Sequence, residues 1–154
     1  MPSNEPPRLR PLAPQPAARL GLRMVKGLAE DTALRIVAAR RLQRPASVDE
    51  LAHHAALKRH DLQCLAAAGT LASLAGHRRQ AHWAVAGIET LPSMLRDAPV
   101  DEFPVELPAA GEGAEVLADY ASLGLTLGRH PVALLRARLA CMGYASSADS
   151  RASA

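Results

Sequence analysis

The run Lys26-Gly27-Leu28-Ala29 places a cation and a glycine directly before a helical pattern that opens at Glu30. A glycine within a helix costs about 0.5–1 kcal/mol relative to alanine, so its presence here points to a turn. The first amides of a helix have no internal partners, and the positive end of the helix dipole lies behind them. A turn that exposes those amides can take a phosphate oxygen, and glycine lets the ligand come close. Lys26 would add a mobile positive charge at that spot. A related arrangement recurs at Gly76-His77-Arg78-Arg79, where paired arginines follow a glycine at a second helix start. Two arginines there disfavour the dipole unless an anion is present. Lys58 and Arg59 occupy a junction between helices, read either as a third contact or as a solvated turn. Such sites position a phosphate backbone and read no base sequence.

These turns need helices to hold them, and the composition supplies helix formers. Alanine and leucine dominate, while aromatics make up 3% of 154 residues, so the core must be aliphatic and small. The expected class is all-α. Residues 1–18 carry six prolines and read as an extended or disordered lead-in. Helices follow at about 30–43, 47–56, 61–68 and 77–87, with a short turn-like element at 70–76. In the first, Leu34, Ile36, Val37 and Leu42 are the larger apolar positions. Ser47 with Glu50 forms a capping-box pattern, and Gly69 stands where a C′ residue belongs. Trp83 reads as the main aromatic of the core. After residue 88 the chain turns acidic and proline-rich, a linker or an arm over residues 89–111. Helical patterns resume at 112–124 and 131–142, with Pro131 in a first turn and His130 as the entry residue. Residues 146–154 read as a frayed tail.

Charge divides the chain in the same way. Residues 21–82 hold ten Lys/Arg against five Asp/Glu, whereas residues 83–128 hold one Arg against eight acids. The basic block suits a polyanion, and the acidic block would repel one. A second reading follows, in which the acidic half and proline-rich arms hold a protein partner and the turns serve packing. Cys64 and Cys141 lie in apolar helical patterns and read as buried free thiols. The sequence has no Cys-x-x-Cys pair, and its six histidines lack partners at metal spacing. No apolar run approaches the length of a membrane span, and no secretory leader is legible, so a cytoplasmic location is expected. No nucleophile–base pair or Gly-rich P-loop supports an independent enzyme.

The first turn carries a pattern with a family name. Val25, Gly27, Leu28, Ala33 and Ile36 fall on positions of the helix-hairpin-helix DNA-binding motif, with Ala29 where the motif has its second glycine. Three longer stretches occur in order: "RLGLRMVKGLAEDTALRIVAAR", "SVDELAHHAALKRHDLQCLAAAGTLASLAGHRRQAHW" and "LADYASLGLTLGRHPVALLRARLA". Together they resemble the C-terminal part of bacterial C-family DNA polymerases, the polymerase III alpha subunit and its error-prone relative. The "RRQAHW" and "YASLGLTLGRHP" runs look most like the error-prone, translesion form. The resemblance covers roughly residues 18–145.

That resemblance implies a tandem helix-hairpin-helix domain at 19–88, the linker, and a helical connector at 112–145 leading toward an OB-fold. It implies contact with the duplex DNA backbone through Lys26, Gly27, Leu28, Ala29, Lys58, Arg59, Gly76, His77, Arg78 and Arg79. Other polymerase domains and translesion accessory proteins are further implied partners, and the nucleoid the implied setting. The family's magnesium-dependent nucleotidyl transfer uses palm acids that find no counterpart here. The chain is therefore expected to bind DNA as a fragment, without polymerising it alone.

Overall fold

A computed structural model describes residues 20–88 and 105–145. The lead-in 1–18, the tail 146–154 and residues 89–104 of the acidic stretch lie outside the described residues. Within them the secondary structure is helical: α1 (Glu30–Leu42), α2 (Val48–His54), α3 (Arg59–Ala67), α4 (Ala72–Ala75), α5 (Arg78–Gly87), α6 (Glu112–Ser122) and α7 (Pro131–Cys141). A short 3₁₀ turn, Leu22–Met24, precedes the first hairpin.

The helix ends follow local chemistry. Glu30 and Asp31 at the start of α1, and Arg40 and Arg41 at its end, suit the dipole. The helix stops before Arg44-Pro45, because the residue before a proline is pushed out of helical conformation. Ser47 Oγ accepts the Glu50 amide at 3.1 Å to open α2, while the Glu50 carboxylate accepts the Ala46 amide at 2.6 Å. The Asp61 carboxylate accepts the Lys58 amide at 3.0 Å, so α3 starts two residues ahead of Asp61. Gly69, at φ +67°, ends α3: its amide reaches Ala66 O and the Thr70 amide reaches Leu65 O, a Schellman closure. His130 Nδ1 accepts the Val132 amide at 3.2 Å, with Pro131 at the head of α7.

The core is aliphatic. Ile36 and Ala39 from α1, Val48 and Leu51 from α2, Leu62 and Leu65 from α3, Leu71, and Ala81 and Val85 from α5 share one cluster. The inner stripe of α1 is Thr32, Ile36 and Ala39, spaced by four and three, whereas Leu34, Val37 and Leu42 face outward. The small Ala39 on that stripe suits close approach of a neighbouring helix. The Trp83 expectation is corrected: it is 53% exposed, on the side of α5 away from Ala81 and Val85. The thiols differ from expectation too, since Cys64 is half-buried and Cys141 exposed. Burial, and secondarily the Asp61 carboxylate, pushes the Cys64 thiol above its ordinary value.

The turn after α2 carries strain. Ala56 sits at φ +47°, in a closure like that of Gly69, with the Leu57 amide on Ala52 O at 2.9 Å. Alanine pays there for a conformation that glycine adopts freely. Arg35 offsets the strain by donating to the carbonyls of Ala55 and Ala56. Ala56→Gly should therefore stabilise the fold by about 0.5–1 kcal/mol, read as a raised denaturation midpoint. The fluorescence of Trp83, the chain's one tryptophan, should be red-shifted and readily quenched by acrylamide in the native state. A blue, protected emission would contradict its placement.

Candidate nucleic-acid interface

The first hairpin is a β-turn closed by the Leu28 amide on Val25 O at 3.3 Å. Gly27 occupies its third position at φ +80°, which is the requirement of a type II turn. Glycine is needed there for a second reason. A Cβ on residue 27 would stand 3.1 Å from Cys64 Sγ and 3.7 Å from His60 Nε2 of α3. His60 Nε2 also lies 3.3 Å from the Gly27 carbonyl. Gly27 thus fastens the turn to α3, and its amide face is left outward. Val25 is buried and Leu28 is partly buried against the core, so Leu28 serves as an anchor. Ala29 precedes α1 at φ −71° and ψ 149°, with no side-chain cap on the helix. The first amides of α1 have no intrahelical partner and open onto the exposed Ala29.

Lys26 is placed differently from the mobile charge that the sequence suggests. Its ammonium donates to the carbonyls of Tyr120 and Ala121 at 3.0 and 2.9 Å, and its amide donates to Ser122 O at 3.0 Å. It closes the C-terminal end of α6. Lys58 and Arg59, by contrast, are exposed at the start of α3. They stand beside the first hairpin, because His60 is the next residue and reaches Gly27.

The second hairpin, α4–Gly76–α5, is engaged by the later part of the chain. Gly76 has φ +87° and open space where a Cβ would point. His77 Nδ1 accepts the Gln80 amide at 3.1 Å, so its ring proton sits on Nε2, which donates to Leu107 O at 2.8 Å. Gln80 pairs twice with the extended residues 105–107, donating to Val105 O and accepting the Leu107 amide. Arg79, exposed, donates to Pro108 O at 3.2 Å.

Arg78 is the main departure from the sequence reading. Its side chain is 10% exposed and ion-paired to Glu115 at 3.0 Å and to Asp119. It also donates to Glu115 O, and Asp119 accepts Thr126 Oγ1 at 2.7 Å. A Cβ on Gly69 would come within 2.9 Å of the Arg78 guanidinium, so that glycine also makes room for the clamp. Buried, paired guanidinium is expensive to strand, and Arg78 is first of all a structural link to α6. At the far end of α6, a 2.7 Å hydrogen bond from Arg129 holds the exposed Glu112 carboxyl below its ordinary range.

The ten sequence candidates therefore separate. Gly27, Leu28 and Ala29 form the first turn, and the exposed Lys58 and Arg59 open α3, whose His60 reaches Gly27. Gly76 to Arg79 lie against residues 105–119, and Lys26 against α6. Sequence reasoning missed His60, Cys64, Glu115 and Asp119 as partners of these turns. For Glu115 and Asp119 the only signal was compositional, in the acidic block, and His60 and Cys64 had none. Among the described residues no three His, Cys, Asp or Glu side chains could hold a metal ion. No described helix is long and apolar enough to cross a membrane.

Gly27→Ala should destabilise the fold by about 1–3 kcal/mol, from positive φ and the Cys64 contact together. In a Cys64→Ala background the same substitution should cost measurably less. Equal costs in the two backgrounds would deny the contact.

The helix-hairpin-helix motif model matches residues 8–81, which contain the first hairpin and the second as far as the first turn of α5. No solved structure matches the chain. The error-prone DNA polymerase of Ralstonia pickettii (strain 12J) is 53% identical over 137 residues, covering 87% of this chain and 13% of that protein. That of Azoarcus sp. (strain BH72) is 53% identical over 126 residues, covering 82% and 12%. That of Aromatoleum aromaticum is 50% identical over 136 residues, covering 88% and 13%. The chain spans about 13% of the length of these curated relatives, and over that span it is 50–53% identical to error-prone DNA polymerases and carries the helix-hairpin-helix motif.

Proposed function

We propose that this chain grips the phosphate backbone of duplex DNA, without reading base sequence, for a polymerase that copies past damage. The observation that supports this most is the outer face of the first hairpin. There the uncapped start of α1, the open Gly27–Ala29 backbone and the exposed cations Lys58 and Arg59 adjoin. Backbone amides and flexible lysine or arginine heads suit phosphate oxygens and carry no sequence code. The match to the helix-hairpin-helix motif favours the same use. DNA synthesis and its metal ions then belong to other parts of the longer protein, acting on the nucleoid in the cytoplasm.

A second reading has one observation in its favour. His77, Arg78, Arg79 and Gln80 all bond to residues 105–119, so the second hairpin already serves as a packing surface. The remaining polymerase domains or accessory proteins would then be its wider setting.

Fluorescence anisotropy of a labelled duplex, titrated at two salt concentrations, tests the DNA reading. Gly27 substitutions are poor probes because they strain the fold, whereas Lys58 and Arg59 are exposed. Lys58→Glu/Arg59→Glu should weaken binding roughly tenfold at low salt, equally for unrelated sequences. It should also lower the salt slope by about 1–2. Affinity indifferent to salt, or to the double reversal, would sink the proposed face.

A further inference from the structure

Helix α6 presents a polyanion's features to the two hairpins. Glu115 and Asp119 place two carboxylates on the Arg78 guanidinium, as phosphate oxygens would be placed. The other end of α6 offers the Tyr120 and Ala121 carbonyls, with the negative end of its dipole, to Lys26. Residues 105–108 complete the contact by holding His77, Arg79 and Gln80. One continuous acidic stretch thereby takes up cations and polar side chains from both turns.

This contact is polar rather than packed. Val116 is the one apolar side chain of α6 that is buried, while Leu117 and Tyr120 are 73% and 42% exposed. A cleft of about 390 Å³ separates the second hairpin from α6, with Gly69, Gly76, Arg78, Glu115 and Asp119 among its walls. The motif match ends at residue 81, so this stretch lies outside the hairpin domain that it covers. A helix held mainly by polar contacts to cations is one that a competing polyanion can lift, because its phosphate oxygens replace the carboxylates on the same guanidinium without leaving it unpaired.

We propose that residues 105–122 are an internal cover that imitates DNA. In the closed form they occupy the hairpin cations Lys26 and Arg78, and duplex DNA displaces them to gain both. This rests on the DNA-binding reading above and adds a closed state to it. Binding then begins at the outer face with Lys58 and Arg59 and extends to the second hairpin once α6 has moved. Apparent affinity is scaled by the fraction of molecules that are open.

The test uses the whole chain. Hydrogen exchange of the wild type is followed with and without a short duplex, and anisotropy is measured for the wild type and for Glu115→Gln/Asp119→Asn. Asp49→Lys, at an exposed position outside the cover, changes the net charge by the same two units and serves as the control. Faster exchange of α6 amides on DNA addition is expected, with binding about tenfold tighter for the cover variant than for the control, as for a cover closed in nine molecules of ten. Wild type that binds DNA with α6 exchange unchanged or slowed overturns the cover and leaves the DNA reading intact. Binding seen only in the cover variant supports both. Absence of binding by every variant at low salt overturns the DNA reading, and the cover with it. If the cover variant fails to fold, as circular dichroism would show, wild-type exchange decides alone.

Discussion

The structure depends on how its helix ends are satisfied. An α-helix leaves its first four amides and last four carbonyls without internal partners. In α2, with seven residues, those groups are more than half of the backbone's, and in α3, with nine, nearly half. A fold of short helices is therefore governed by what closes them. Arg35 closes α2 through the carbonyls of Ala55 and Ala56, Lys26 closes α6, and Gly69 closes α3. Starts are met by Ser47, Asp61, His77 and His130. Because buried or half-buried backbone groups are costly when unpaired, these side chains are constrained before any ligand arrives.

That constraint reshapes the basic block. Its charge suggests a surface of cations awaiting a polyanion, yet three of its strongest members are engaged inside the fold. Arg35 bonds α2, Lys26 bonds α6, and Arg78 is held by two carboxylates. The members left outward are those placed at helix starts and junctions, Lys58 and Arg59, with Arg40, Arg41 and Arg44 at the end of α1. Lys26 and Arg35 are taken up by carbonyls at the end of another helix, and Arg78, although it opens α5, by the carboxylates of α6.

This is also why the elements were legible from the sequence and the site less so. Helix positions follow from local signals: Ser47 with Glu50, Gly69, Pro131 and the break at Pro45 act within a few residues. The inner stripe of α1 is not legible from the sequence, because Leu34 and Leu42 are more hydrophobic than Thr32 and Ala39. What is buried there is set by the closeness of α2, a tertiary fact, and by the Arg35 bond to Thr32 Oγ1. Trp83 was misread for the same reason, since the inner face of α5 has room only for Ala81 and Val85. The partners of Arg78 and Lys26 lie 37 to 95 residues away, and no local spacing announces them.

The hairpin motif itself separates into two demands that a sequence pattern merges. Gly27 is a folding requirement: its φ is positive and α3 leaves a Cβ almost no room. Position 29 is not one, because φ −71° and ψ 149° are open to any residue. Alanine there keeps the turn and the helix start intact, and alters only how near a ligand can come to the backbone. The departure from the motif therefore leaves the fold untouched and falls wholly on contact distance. On the proposed DNA reading, phosphate affinity at this turn would lean more on the neighbouring cations than on the amides, and those cations stand at the start of α3, which Gly27 contacts through His60 and Cys64.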